Sequence, residues 1–198
     1  MFLSLSYDFN SQDLMVMDDH QILTAISNAQ KGIWQYLEIM KLFPETNVAH
    51  DRNFQRKYNA FYRVRQRNDN WYRVYYQYME DTKRQQISFP EVLQYFRMKL
   101  NRYEPSFSSK LLATHNPDMP VWDLHVLSNI GLRQPPYYSL RKFDLAVSAY
   151  QALQDWYKEY EFSQEGMRII RLFDSQISES NLITTTKKID FVLWQSRT

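Results

Sequence analysis

Glycine is nearly missing from this chain: Gly32, Gly131 and Gly166 are the only three in 198 residues. All-β folds reverse direction often, and their tight hairpins draw on glycine to reach positive φ. Three scattered glycines are too few for a barrel or a sandwich, so helices joined by short loops are the expected architecture. The same scarcity excludes a glycine-rich phosphate loop, which needs at least two closely spaced glycines. A length of 198 residues and a 44% hydrophobic content suit one compact multi-helix domain over residues 1–198.

Cysteine is absent altogether, which rules out disulfides, thiolate nucleophiles and cysteine-ligated zinc. Its absence fits a reducing compartment, and a cytoplasmic location is expected. The opening MFLSLSYDFNSQD lacks a basic leader and turns acidic at once, so no secretory signal is read there. No run of about 18 apolar residues occurs, so no membrane association is expected.

The apolar positions recur at helical spacing. Ile22, Ala25, Ile26, Ala29, Ile33, Tyr36 and Met40 predict a helix over His20–Phe43, ended by Pro44. A second helix is predicted over Phe54–Arg65, and a third over Trp71–Glu80 after the capping run Asn68-Asp69-Asn70. The tyrosine-rich third segment has a strand as its competing reading. Ser88, Pro90 and Glu91 form a capping-box start for a helix to about Asn101. Pro105 opens a short helix to about Ala113, and Asp123 caps another from Leu124 to Ile130, with Gly131 at its C-terminal end. Ser139 is the expected cap of a long helix to Tyr160. Ser163 starts a helix with Met167, Ile170, Arg171 and Phe173 on one face, and Thr184–Thr186 precede the last, through Trp194. Seven to nine helices follow, with no repeat.

Charge is distributed unevenly. Residues 1–51 hold two lysines against seven acids, whereas residues 52–110 hold thirteen Lys/Arg against five acids. Within that basic third, Arg56, Lys57, Arg63, Arg65, Arg67 and Arg73 alternate with Tyr58, Tyr62, Trp71, Tyr72, Tyr75 and Tyr76. Cations for phosphates and rings for bases are what nucleic-acid binding uses, so DNA is a candidate partner. The competing reading packs the rings in the core and leaves the arginines on solvated helix faces. The four histidines lack HExxH spacing, although His115 and His125 flank Asp123, and no metal or cofactor is expected. No nucleophile elbow of the hydrolase kind occurs.

The most informative stretch runs from Pro105 to Leu132. Val121-Trp122-Asp123-Leu124-His125-Val126, followed by Asn129-Ile130-Gly131-Leu132, resembles the segment around the catalytic aspartate of helix-hairpin-helix DNA glycosylases. Ser108-Ser109-Lys110-Leu111-Leu112-Ala113 is similar to the stretch that carries their lysine. The pattern also looks like that of uncharacterised small bacterial or phage proteins. The resemblance implies an all-helical fold, Lys110 as nucleophile and Asp123 as the group that stabilises developing positive charge. Three departures stand out: residues 105–109 lack the family's hairpin glycines, the interval from Lys110 to Asp123 is shorter than usual, and a bulky Trp122 precedes the aspartate. Asp123 alone is also explained as a helix cap, and Lys110 as a surface lysine. The sequence therefore leaves open whether the chain is an enzyme. It leaves two main readings, a DNA-binding glycosylase-like protein and a non-enzymatic helical protein-interaction module; a small-molecule enzyme built on a buried Asp123 is a third.

Overall fold

The computed structural model describes residues 16–196, so the reading of the first thirteen residues lies outside it. Among the described residues, nine α-helices and one 3₁₀ turn (Ser180–Leu182) make up the regular structure, without a strand. They are α1 (Asp19–Glu45), α2 (Arg52–Phe61), α3 (Asp69–Asp81), α4 (Phe89–Leu100), α5 (Pro105–His115), α6 (Leu124–Asn129), α7 (Lys142–Tyr160), α8 (Gln164–Gln176) and α9 (Thr185–Gln195). No helix among them is long and apolar enough to cross a membrane.

Caps set most of the boundaries. The Asp18 carboxylate accepts from the Gln21 amide at 2.8 Å, while the Gln21 side chain accepts from the Asp18 amide. Pro44 falls inside the last turn of α1, which runs on to Glu45 rather than stopping before the proline. α2 begins earlier and ends earlier than Phe54–Arg65. Asp51 caps it by accepting from Asn53 and Phe54, and Arg63 (φ 54°) and Gln66 (φ 56°) are left-handed, which no α-helix tolerates. α3 is a helix, not a strand: Asn68 caps it, and Trp71, Tyr75, Tyr76 and Met79 share its buried face. α7 starts at Lys142, because Ser139 closes a separate turn in which its hydroxyl accepts from the Arg141 amide at 3.2 Å. In α8 the buried positions are Gly166, Ile169 and Phe173, while Met167 and Arg171 face solvent.

Two apolar clusters fill the interior. The first gathers the N-terminal part of α1 with α6, α7, α8 and α9. The second joins the end of α1 to α2 and α3 and is built mainly of rings: Phe54, Tyr58, Tyr62, Trp71, Tyr75, Tyr76 and Phe96. Trp71 stacks on Tyr75 at 4.6 Å, and Tyr75 on Phe96 at 5.4 Å. Buried phenols need partners. Tyr58 and Tyr75 share a hydroxyl contact of 2.8 Å, Tyr75 donates to the Phe107 carbonyl, and Tyr76 donates to Asn59. α1, α4 and α5 send residues into both clusters, which makes them the frame on which the halves meet.

The glycines separate by role. A Cβ at Gly166 would overlap the Tyr160 carbonyl, where the end of α7 crosses the start of α8. At Gly32 a Cβ would make only ordinary contacts, 3.8 Å from Phe191 and 3.9 Å from Phe61. Gly166→Ala should therefore cost about 1–3 kcal/mol or more from overpacking. Gly32→Ala should be neutral or gain up to about 1 kcal/mol from helix propensity. Urea midpoints of the two variants check this; equal midpoints would contradict it.

Candidate lysine–aspartate site

α4 and α5 form a helix pair joined by the hairpin at residues 101–104. The left-handed position in this hairpin is Asn101 (φ 51°), a residue type that tolerates that region. Residues 105–109 contain no positive φ, so the missing glycines carry no steric cost there. Pro105 sits in the first turn of α5, where its lack of an amide hydrogen does no harm.

Ser108 and Ser109 are fully buried, and each hydroxyl donates to a carbonyl one turn back, Glu104 and Ser106 respectively. Ser109 has a second task. Its Oγ accepts from the Trp122 amide at 2.8 Å. One hydrogen bond therefore ties the residue before Lys110 to the residue before Asp123. The intervening loop is pinned at two further points: the Tyr150 hydroxyl donates to the Pro120 carbonyl, and the Thr184 hydroxyl to the Pro117 carbonyl, both at 2.8 Å. Asp123 does cap α6, accepting from the His125 amide at 2.9 Å.

Lys110 is half-buried, neither a free surface lysine nor a sealed one. Its Nζ donates to the Tyr62 carbonyl at 3.2 Å and lies 4.9 Å from the Phe107 ring centre. Burial pulls its pKa down to about 8, Asp123 opposes the fall, and the cations Lys187, Arg63 and Arg67 add to it. Lys110 and Asp123 thus lie within electrostatic reach of one another.

α9 supplies a pair that the sequence reading missed. Lys187 Nζ meets Asp190 Oδ2 at 2.6 Å, and both side chains are buried. The ammonium faces the rings of Tyr36, Phe61 and Phe191, and Tyr157 donates to the other Asp190 oxygen at 3.4 Å. Burial alone would lower the Lys187 pKa, but Asp190, with lesser help from Tyr62 and Asp123, outweighs it and holds the lysine charged. The available signal was the run Ile189, Phe191, Val192, Leu193, which leaves no wide polar stripe on this helix.

The six cations singled out in the basic third divide. Arg63 lies 4.6 Å over the Trp194 ring. Arg67 packs against Trp71 and Phe107 and pairs with Glu104 at 3.3 Å. Lys57 pairs with Glu38 of α1 at 2.7 Å. Arg56 and Arg73 bond Asn53 and Asn70 one turn back, and Arg65 is exposed. Only Arg63 and Arg67 join Lys110. The interleaved Tyr58, Tyr62, Trp71, Tyr75 and Tyr76 are core residues and are not free to stack on bases. His115 is held between the Leu111 carbonyl and the Thr82 hydroxyl, both at 3.0 Å, while His125 is exposed, so the two form no pair. No group of three or more His, Asp or Glu able to hold a metal occurs among the described residues. A surface cleft of about 600 Å³ opens elsewhere, beside Pro44, Asn47, Glu80 and Arg84, and none of the candidate catalytic or DNA-contacting residues lines it.

Ser109→Ala leaves the buried Trp122 amide without its acceptor and should cost about 1–3 kcal/mol. Asp123→Ala removes the cap of α6 and should cost about 0.5–2 kcal/mol. Urea denaturation measures both, and an unchanged midpoint for Ser109→Ala would show that the Ser109–Trp122 bond does not hold the site. Comparisons with protein-family models, with curated proteins and with solved structures find no match for this chain.

Proposed function

We propose that this is a DNA-binding protein of the helix-hairpin-helix glycosylase type, with Lys110 as its reactive amine. The observation that carries the reading is the Ser109–Trp122 hydrogen bond, which ties the residue before Lys110 on α5 to the residue before Asp123, the cap of α6. A lysine near pKa 8 has a usable neutral fraction at physiological pH, whereas one near 10.5 does not.

On this reading a damaged nucleotide is extruded from the duplex and enters the site. The neutral Lys110 Nζ attacks C1′ of the sugar. The glycosidic bond breaks and the base leaves with its electron pair. Nζ gives up a proton, and the C1′–O4′ bond then opens, its electron pair going to O4′, which takes up a proton, as the Nζ lone pair forms the protonated imine to C1′. Asp123 stabilises the positive charge that develops on the sugar and then on the imine. Exposed Arg63 and Arg65 meet phosphates, and Arg67 holds the Trp71–Phe107 wall beneath them.

Borohydride trapping on duplexes carrying an abasic site or an oxidised base tests the chemistry. The covalent complex should disappear in Lys110→Ala. Its yield should rise as pH rises through about 8, because the free amine accumulates in that direction. No trapped species on any such duplex, or trapping that survives Lys110→Ala, would remove the lysine mechanism. Duplex affinity that falls steeply with salt would then still support the binding half of the proposal.

A further inference from the structure

Two strongly exposed tyrosines lie outside the basic third. They sit in the connection between α6 and α7, which ends in two consecutive turns. The Ser139 amide donates to the Pro136 carbonyl at 3.0 Å, which places Tyr137 and Tyr138 at the centre of the first turn. The Lys142 amide donates to the Ser139 carbonyl at 3.2 Å, which places Leu140 and Arg141 at the centre of the second. Tyr138 is 89% exposed, Tyr137 is 74% exposed and Leu140 is fully exposed. Rings held outward by closed turns lose little freedom when something stacks on them.

Cations are woven through this surface. Lys142 Nζ lies 4.2 Å from the Tyr137 ring centre, and Arg97 lies 4.3 Å over Phe143. Tyr103, from the α4–α5 hairpin, meets Tyr137 and Phe143 edge-on at 6.3 and 5.3 Å. Residues 95–104 and 131–144 together carry Arg97, Lys99, Arg102, Arg133, Arg141 and Lys142. Their only carboxylates are Asp144 and Glu104, and Glu104 is buried against Arg67, Arg102 and the Trp71 indole. The occupant that fits must be a polyanion that also offers flat apolar faces.

We propose that the turns at Pro136–Lys142, with Tyr103 and the surrounding cations, form a binding surface for single-stranded nucleic acid. Unpaired bases stack on Tyr138 and Tyr137, and the arginines and lysines take the phosphates. An anionic lipid surface suits it less well, because interfacial binding relies on a helix with a broad apolar face, and here two turns present rings. The surface adjoins the hairpin of the duplex-binding reading and extends it to unpaired strands, but it does not depend on Lys110 chemistry.

The test is fluorescence anisotropy of the full chain with a labelled oligothymidylate, beside a duplex and phosphatidylserine vesicles. Tyr138→Ala should weaken oligothymidylate binding about tenfold, as expected when one stacked base is lost. Tyr138→Phe, which keeps the ring, should bind like the parent. Arg141→Ala should weaken binding and reduce the salt slope by about one phosphate contact. Trapping is read with Lys110→Ala and oligothymidylate binding with Tyr138→Ala, so failure of the trapping chemistry and failure here are read separately. Parental affinity in Tyr138→Ala overturns the proposal. So does a loss confined to the vesicles, which would make this a lipid-facing loop.

Discussion

A lysine and an aspartate in the middle of α9 have been taken out of water together, and much of the packing is arranged around them. Removing one partner of such a pair leaves an uncompensated buried charge and typically costs about 3–5 kcal/mol. The protein meets this demand from several elements at once. Tyr36 of α1, Phe61 of α2 and Phe191 of α9 turn their ring faces to Lys187, and Tyr157 of α7 completes Asp190. α9 is consequently buried from Thr186 to Leu193. Lys188, next in line, reaches Asp174 of α8 at 2.5 Å, so even the second lysine of the run binds the helix to its neighbour.

This arrangement explains what the sequence made legible. Caps and periodicity are local, and they were readable wherever the residue that ends a helix also advertises it. Asn68, Ser88 with Glu91, Asp123, Ser163 and Thr184 all stand at helix starts. The end of α2 was not readable, because Arg63 and Gln66 adopt left-handed backbone without being the residue types that signal it. Burial was harder still. Lys187 and Asp190 neutralise each other one turn apart on α9, and the rings and the phenol that complete their burial, like the Asp174 that meets Lys188, come from other helices that no local pattern announces. The alternation of arginine and tyrosine in the basic third looked like a binding surface, yet most of its rings are core.

The candidate site shows both sides of the same lesson. Lys110 and Asp123 were visible as residue types in a familiar-looking pattern. Their proximity rests on Ser109, whose side chain is small enough to be buried between α5 and the loop and polar enough to accept from Trp122. Nothing in the local spacing announces that bond. In the hairpin, Asn101 takes the left-handed position, so the turn needs no glycine at residues 105–109. A chain with three glycines can therefore build a tight helix pair by moving the demand for positive φ onto asparagine.

The two apolar clusters have a dynamic consequence. Their boundary runs through adjacent residues: Leu111 belongs to one cluster and Leu112 to the other, and Val121 and Trp122 divide in the same way. Lys110 and Asp123 sit beside that boundary. The boundary itself is apolar: Phe61 and Ile87 pack against both clusters, and Phe61 meets Tyr36 on one side and Tyr62 on the other. Because α1, α4 and α5 each pack into both clusters, neither half can open without loosening a helix of the other, and in amide hydrogen exchange the two cores open as one cooperative unit that keeps Lys110 in place.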